Sequence, residues 1–308
     1  MHINPSFSPR HKSVKGSPET FPRRFKILAL DVDGTLLDGE GVVRPRTAAA
    51  LAAAAAAGIQ PVLCTGRRYR RARPIAEQLG LNAPIVCNSG ALVKDPSDHR
   101  SLWRADFHPL LAAALLELFH EHGQPAVIFS DGTLAEADFV IPRFPTGRPL
   151  FDDYVVQNRA HAEIAPERSL PPQGVGASHL DQLFHICAIG TRDEMVAFQD
   201  VVRARLGGSV QTFVQRSPRY LGTMCEVIRR GADKWTAIRQ VAALWGVEPG
   251  EICAVGDDVN DLPMIENAGL GVAMGHAPPE VLAAADLVTS DHREDGLAAF
   301  LEGLLNQR

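Results

Sequence analysis

The chain has 308 residues, 45% hydrophobic and 22% charged, a composition that suits one or two packed domains and excludes a disordered chain. Its longest strongly apolar stretch, Ala48 to Ala57, is mostly alanine and falls short of the ~20 residues needed to cross a bilayer, so no membrane protein is expected. The 31 Lys and Arg against 36 Asp and Glu leave a formal charge of −5, which argues against a nucleic-acid partner, since such chains carry a basic excess.

Residues 1–25 differ from the rest. Arg10, Lys12, Lys15, Arg23 and Arg24 face one acid, Glu19, and Pro5, Pro9, Pro18 and Pro22 break any helix. No apolar signal region is present, and a disordered basic tail is expected. Order is expected from Lys26. The run Ile27 to Leu30 is continuously apolar and ends abruptly at Asp31, as in a strand buried on both faces of a parallel sheet. RPRTAAALAAAAAAG predicts a helix stopped by Gly58, IQPVLCTGR a strand, RRYRRARPIAEQLG a helix, and APIVCNSGALVKD another strand. This alternation predicts a doubly wound α/β sheet. It returns near the C-terminus: DKWTAIRQVAALWG as helix, EICAVGDDVND as strand and loop, then LPMIENAG, LGVAMG, APPEVLAAA and DLVTS as helix, strand, helix and strand.

Residues 106–228 read as an α+β insertion between the two halves of that sheet, which take residues 26–105 and 229–308. FHPLLAAALLELFHEHG and RDEMVAFQDVVRARLGG predict helices; QPAVIFSDG, LFHICAIG, VQTFVQ and MCEVIRR predict strands. Residues 140–178, rich in Pro, Gly and polar side chains, are expected to form a long connection. The five cysteines, an odd number without C-x-x-C spacing, read as small buried hydrophobes rather than a disulfide or zinc framework. His108, His120, His122 and His185 show no metal-ligand spacing, and the cluster Arg67, Arg68, Arg70, Arg71 and Arg73 reads as a solvated helix face beyond Arg67 itself.

Four places carry chemistry. Asp31-Val32-Asp33-Gly34-Thr35 follows the first buried strand, at the strand end where open α/β sheets bind ligands. Two carboxylates one residue apart repel each other, and a divalent cation would relieve that; Gly34 permits a sharp turn and Thr35 is expected to pin the loop through a local hydrogen bond. Thr65-Gly66-Arg67 follows the second strand and opens a helix, an arrangement suited to phosphate, though taken alone an N-capping threonine is the favoured reading of it. Asp233-Lys234 opens a helix after a glycine. Gly256-Asp257-Asp258-Val259-Asn260-Asp261 places three carboxylates and an amide at the mouth of another apolar strand.

The set DVDGT, TGR, Lys234 and GDDVND, in this order, resembles the haloacid dehalogenase-like phosphatases. NSGALV at Asn88 to Val93, GDDVNDLPMI and the long insertion look like the Cof-type branch with a C2-type cap. The resemblance implies a Rossmann-like core carrying an inserted cap, and a Mg²⁺-dependent phosphatase of small phosphomonoesters. By matching positions it implies Asp31 as nucleophile and Asp33 as general acid/base. It places Mg²⁺ on the Asp31 carboxylate, the Asp33 backbone carbonyl and the Asp257 carboxylate, with Asp258 and Asp261 orienting metal-bound water. Thr65, Gly66, Lys234 and Asn260 would hold phosphoryl oxygens, and Asn88 and Arg67 are further candidates for substrate contact. The implied partner is a small phosphorylated metabolite, sugar phosphates first, met by a cytoplasmic monomer or homodimer, with no nucleic acid and no membrane. A phosphomannomutase-like phosphotransferase and a non-catalytic ligand-binding protein on the same fold are the competing expectations.

Overall fold

The computed structural model describes residues 25–131, 137–164, 183–216 and 222–306. The expected basic tail lies outside the described residues, apart from Phe25, whose side chain is buried.

The chain begins with β1 (Ile27–Leu30), α1 (Pro45–Ala56), β2 (Gln60–Leu63), α2 (Tyr69–Gln78) and β3 (Ile85–Cys87). All four side chains of β1 are fully buried, because both faces of this strand are covered. With a two-residue period, Leu28 and Leu30 pack on the side of α1, while Ile27 and Ala29 face the opposite layer. The alanine run forms α1 as its propensity dictates, with Pro45 in its first turn.

The expected single strand after α2 is interrupted. A turn at Asn88–Gly90, with positive φ at Asn88, Ser89 and Gly90, separates β3 from β4 (Leu92–Lys94), and β4 pairs with β5 (Ser101–Arg104) in a small antiparallel sheet. β3 still touches the main sheet through a parallel bridge between Cys64 and Val86.

The insertion follows: α3 (Pro109–Glu121), β6 (Val127–Phe129), β7 (Phe139–Ile141), α4 (Pro149–Gln157), β8 (Ala162–Ile164), β9 (His185–Gly190), α5 (Arg192–Leu206), β10 (Val210–Arg216) and β11 (Thr223–Arg229). Its strands form one six-stranded sheet in the order β10-β11-β9-β6-β7-β8, antiparallel except for β7 with β8. α3 and α5 cover one face, where Phe119 and Phe198 meet edge to face at 4.9 Å. α5 starts on a reciprocal cap between Thr191 and Glu194. The expected connection over 140–178 is therefore partly wrong: β7, α4 and β8 occupy its described portion, residues 140–164. They are three to nine residues long, too short to show a clear hydrophobic period.

The chain then completes the first sheet with α6 (Lys234–Leu244), β12 (Ile252–Gly256), α7 (Leu262–Asn267), β13 (Leu270–Ala273), α8 (Pro279–Ala284), β14 (Leu287–Val288) and α9 (Gly296–Asn306), a helix the motif reading did not anticipate. The five strands run parallel in the order β14-β13-β12-β1-β2. α1 and α9 share a core on one face, and α6 and α7 cover the other. This is the expected α/β architecture, with strands from both ends of the sequence in one sheet. Every cysteine is buried and free, as expected.

Candidate active site

Parallel strands bring their carboxyl ends to one edge, and the four motifs converge there. Asp31 leaves β1, its backbone N–H still bonded to the Val255 carbonyl of β12. Asp257 leaves β12 next door, and Thr65 follows β2 on the other side. Lys234 enters from the first turn of α6, which Asp233 caps by accepting the Thr236 N–H at 2.7 Å.

The Lys234 ammonium donates to Asp31 Oδ1 and to Asp261 Oδ1, both at 2.6 Å, and its side chain is fully buried. Asp261 Oδ2 accepts the backbone N–H groups of Asp257 at 3.0 Å and Asp258 at 3.1 Å, which ties the acidic loop together. Asp257 Oδ1 accepts the Thr35 hydroxyl at 3.0 Å. The expected local bond of Thr35 is thus replaced by one to a residue 222 positions away, joining the two acidic loops.

Burial pushes the Asp31 carboxyl well above its usual range; Lys234 pulls it down, while Asp261 and Asp257 push it up again. Burial likewise raises Asp261 and Asp258. Oxygens of Asp31, Asp257 and Asp261 lie within 4.8 Å of one another. Gly34, at φ +89°, passes so close to this group that a Cβ would sit 2.4 Å from Asp257 Oδ2. A ring of hard oxygen donors whose mutual repulsion outweighs one ammonium fits a divalent cation.

Asp33 is held differently. Arg67 grips both of its oxygens, Nε donating to Oδ2 at 2.6 Å and the second nitrogen to Oδ1. The Thr65 hydroxyl accepts the Arg67 N–H at 3.1 Å. The space beside Gly66 is bordered by Ser89, Gln215 and the Asn260 amide.

These groups border a cavity of about 490 Å³, lined by Asp31, Asp33, Thr65, Gly66, Arg67, Asp257, Asp258 and Asn260 among others. Lys234 and Asp261 are buried behind its wall. Asn88 is turned away: its amide meets Nδ1 of His185, on β9 of the insertion, at 3.0 Å. The arginines beyond Arg67 do not form the expected solvated face. Arg68 and Arg70 both bond Asp138 at 2.8 Å, Arg68 also holds Asn158 at 2.6 Å, and so α2 is stitched to the insertion.

The insertion supplies Phe129, Tyr154, Gln215, Met224 and Glu226 to the same cavity. Sequence reasoning singled out none of these. Glu226 left one signal, as the single acid inside the apolar run MCEVIRR. It accepts the Ser89 hydroxyl at 2.5 Å, and burial pushes it up to about 7. His185, which stacks on Phe129 at 4.3 Å, is pushed down to about 3 by burial.

A family model described as haloacid dehalogenase-like hydrolase matches residues 28–301. The pyridoxal phosphate phosphatase YbhA of Escherichia coli is 28% identical, over 90% of this chain and 97% of its own. The 5-amino-6-(5-phospho-D-ribitylamino)uracil phosphatase YitU of Bacillus subtilis is also 28% identical, over 90% of this chain and 96% of its own. A solved haloacid dehalogenase-like hydrolase from Bacteroides thetaiotaomicron superposes with a TM-score of 0.71 at 24% identity, covering 91% of this chain and 100% of that one. Among the described residues no helix is long and apolar enough to cross a membrane.

Proposed function

The chain belongs to the haloacid dehalogenase-like hydrolases, Cof-type branch, and on that premise we propose that it is a phosphatase that hydrolyses a small phosphomonoester in two steps through Asp31. The observation that carries this reading is the position of Asp31: at a strand end, lining the cavity, and fixed by a buried ammonium.

In the first step a carboxylate oxygen of Asp31 attacks phosphorus, and the bond to the leaving oxygen breaks. Lys234 holds Oδ1 of Asp31 throughout, which fixes the direction of the other oxygen. Asp33 lines the same cavity and gives the leaving oxygen its proton. In the second step Asp33 takes a proton from water, the water oxygen bonds to phosphorus, and the bond to Asp31 breaks to free phosphate. Arg67 grips both oxygens of Asp33 as the carboxylate, the form that takes the proton from water; to carry the proton of the first step, Asp33 releases one of these bonds. Thr65, Gly66 and Asn260 border the place where the phosphoryl oxygens gather charge.

Asp31 and Asp257, with the Asp33 carbonyl, are the residues that would hold Mg²⁺; Asp261 and Asp258 brace the loop around them. The bound ion would neutralise charge on the phosphoryl group.

The leaving group lies under the insertion. Phe129, Tyr154 and Met224 offer it an apolar, partly aromatic surface, with Glu226 and Gln215 as polar partners. This favours metabolites with a ring or flat face: sugar phosphates, and phosphorylated cofactors of the pyridoxal kind. Phosphate release measured over sugar, nucleotide and cofactor phosphates, with Mg²⁺ and with EDTA, tests the reading. Release to water that stops in EDTA supports it. Transfer to a second sugar hydroxyl only, or tight binding without turnover, supports a mutase or a binding protein instead.

A further inference from the structure

The carboxyl edge of the parallel sheet does not end at Asp257. Across the strand order the same edge carries His276 after β13, and Asp291 and His292 after β14. The two loops lie against each other because residue 275 is glycine: a Cβ there would sit 2.8 Å from the Thr289 carbonyl oxygen. Three side chains converge as a result, with one donor atom of each within 4.8 Å of the others. His276 Nδ1 is 3.3 Å from His292 Nδ1, His292 Nδ1 is 3.1 Å from Asp291 Oδ1, and His276 Nδ1 is 3.7 Å from Asp291 Oδ2.

We propose that His276, His292 and Asp291 form a second metal site, distinct from the Asp31–Asp257 group, that takes a borderline divalent cation such as Zn²⁺. A tetrahedral ion with donors at about 2.0–2.1 Å sets its ligands about 3.3–3.4 Å apart, and the His276–His292 and His292–Asp291 separations of 3.3 and 3.1 Å lie close to this. Two ring nitrogens that face each other can share a proton or an ion, and the adjacent carboxylate favours the ion. Imidazole donors select zinc-like metals over Mg²⁺, which prefers oxygen. The outer side of the site is also furnished. His276 Nε2 is a buried nitrogen with no hydrogen bond, and it lies 3.4 Å from Asp257 Oδ2. With a metal on Nδ1, the proton sits on Nε2 and faces that carboxylate, the usual support for a metal-bound histidine. His292 borders the main cavity, so the site adjoins it. One group competes: Arg293 bonds Asp291 from the outside, through its own backbone N–H at 2.8 Å and its guanidinium at 3.2 and 3.4 Å. Its side chain is 67% exposed, and such a pairing is weak.

The assignment is independent of the phosphatase reading and is read without activity. Protein stripped by chelator and supplied with excess Mg²⁺ is titrated with Co²⁺, followed by its visible spectrum. One equivalent should give the intense absorption of four-coordinate cobalt, and Zn²⁺ should abolish it. His276→Ala and His292→Ala should each lose the band, and Asp31→Asn should keep it. Should His276→Ala fail to fold, His292→Ala, at the cavity rim, decides alone. Weak six-coordinate absorption in the wild type, a band that survives His292→Ala, or one that vanishes in Asp31→Asn would overturn the assignment.

Discussion

Lys234 stands midway between two carboxylates, 2.6 Å from an oxygen of Asp31 and 2.6 Å from one of Asp261, with no part of its side chain exposed. One ammonium thus holds the end of β1 to the loop after β12. The two acids also hold the lysine: despite its burial, their charges raise its pKa above the ordinary lysine value. In its buried position this triad is both a structural joint and the device that aims Asp31.

Replacing Lys234 with Met should therefore damage stability and chemistry together. Two buried carboxylates lose their counter-charge, and breaking a buried pair typically costs about 3–5 kcal/mol. Chemical denaturation should show a loss of that order, and phosphate release should fall to background even where the variant is folded. Unchanged stability would mean that the triad contributes little net energy.

Gly34→Ala should weaken activity while leaving the fold nearly intact. The new Cβ meets Asp257 Oδ2 at 2.4 Å, and φ at this position is +89°. Asp257 must move, and the oxygen cluster opens. The expected result is weaker Mg²⁺ activation, measured as a higher metal concentration at half-maximal rate. A wild-type metal dependence would contradict the proposed role of Asp257.

Glu226 and His185 predict an unusual pH profile of stability. Glu226 is raised from its ordinary 4.5 to about 7, so the native state holds a proton that the unfolded chain has lost. Its contribution is present below pH 4.5 and declines as pH rises through 7. His185 falls from 6.5 to about 3, so its contribution is present above 6.5 and is lost on acidification toward 3. Between 4.5 and 6.5 the two oppose each other. Glu226→Gln removes the first alone. Relative to wild type, the variant should gain stability as pH rises from about 5 to about 8, by up to about 3 kcal/mol. Urea unfolding at both pH values measures it, and a difference that does not change with pH would refute the assignment.

Much of the core was legible because parallel strands buried on both faces read as unbroken apolar runs, and the acids that interrupt them stand out. ILALDVDG and ICAVGDD show this directly: Ile27 to Leu30 and Ile252 to Gly256 are buried, and the aspartates follow at once. The ceiling of the cavity was not legible. Phe129, Tyr154 and Met224 have the side chains of any core residue, and their role depends on which face of a sheet meets the other body. Asp138 also gave no signal, since its partners Arg68 and Arg70 are some 70 residues away (70 and 68). Nor did His276 and His292, which come together only because β13 and β14 are neighbours.

Arg68→Ala should test that joint between α2 and the insertion. Its guanidinium, nearly buried, ties Asp138 and Asn158 to the core and borders the cavity. Truncation leaves Arg70 alone on Asp138 and should raise KM for a bulky substrate more than for p-nitrophenyl phosphate. Equal effects on both would indicate a purely structural role.

The most direct measurement of the central claim is a rapid-quench experiment with p-nitrophenyl phosphate on Asp31→Asn and Asp33→Asn, followed by peptide mapping of the trapped phosphoryl group. Nitrophenolate leaves with little need of a proton, so Asp33→Asn should still complete the first step. Its second step, deprived of general base help worth about 10²–10⁴-fold, should be slow. The account predicts a nitrophenol burst in Asp33→Asn with the phosphoryl group on Asp31, and no burst in Asp31→Asn. Equal bursts from both variants, or a phosphoryl group trapped on another residue, would contradict it.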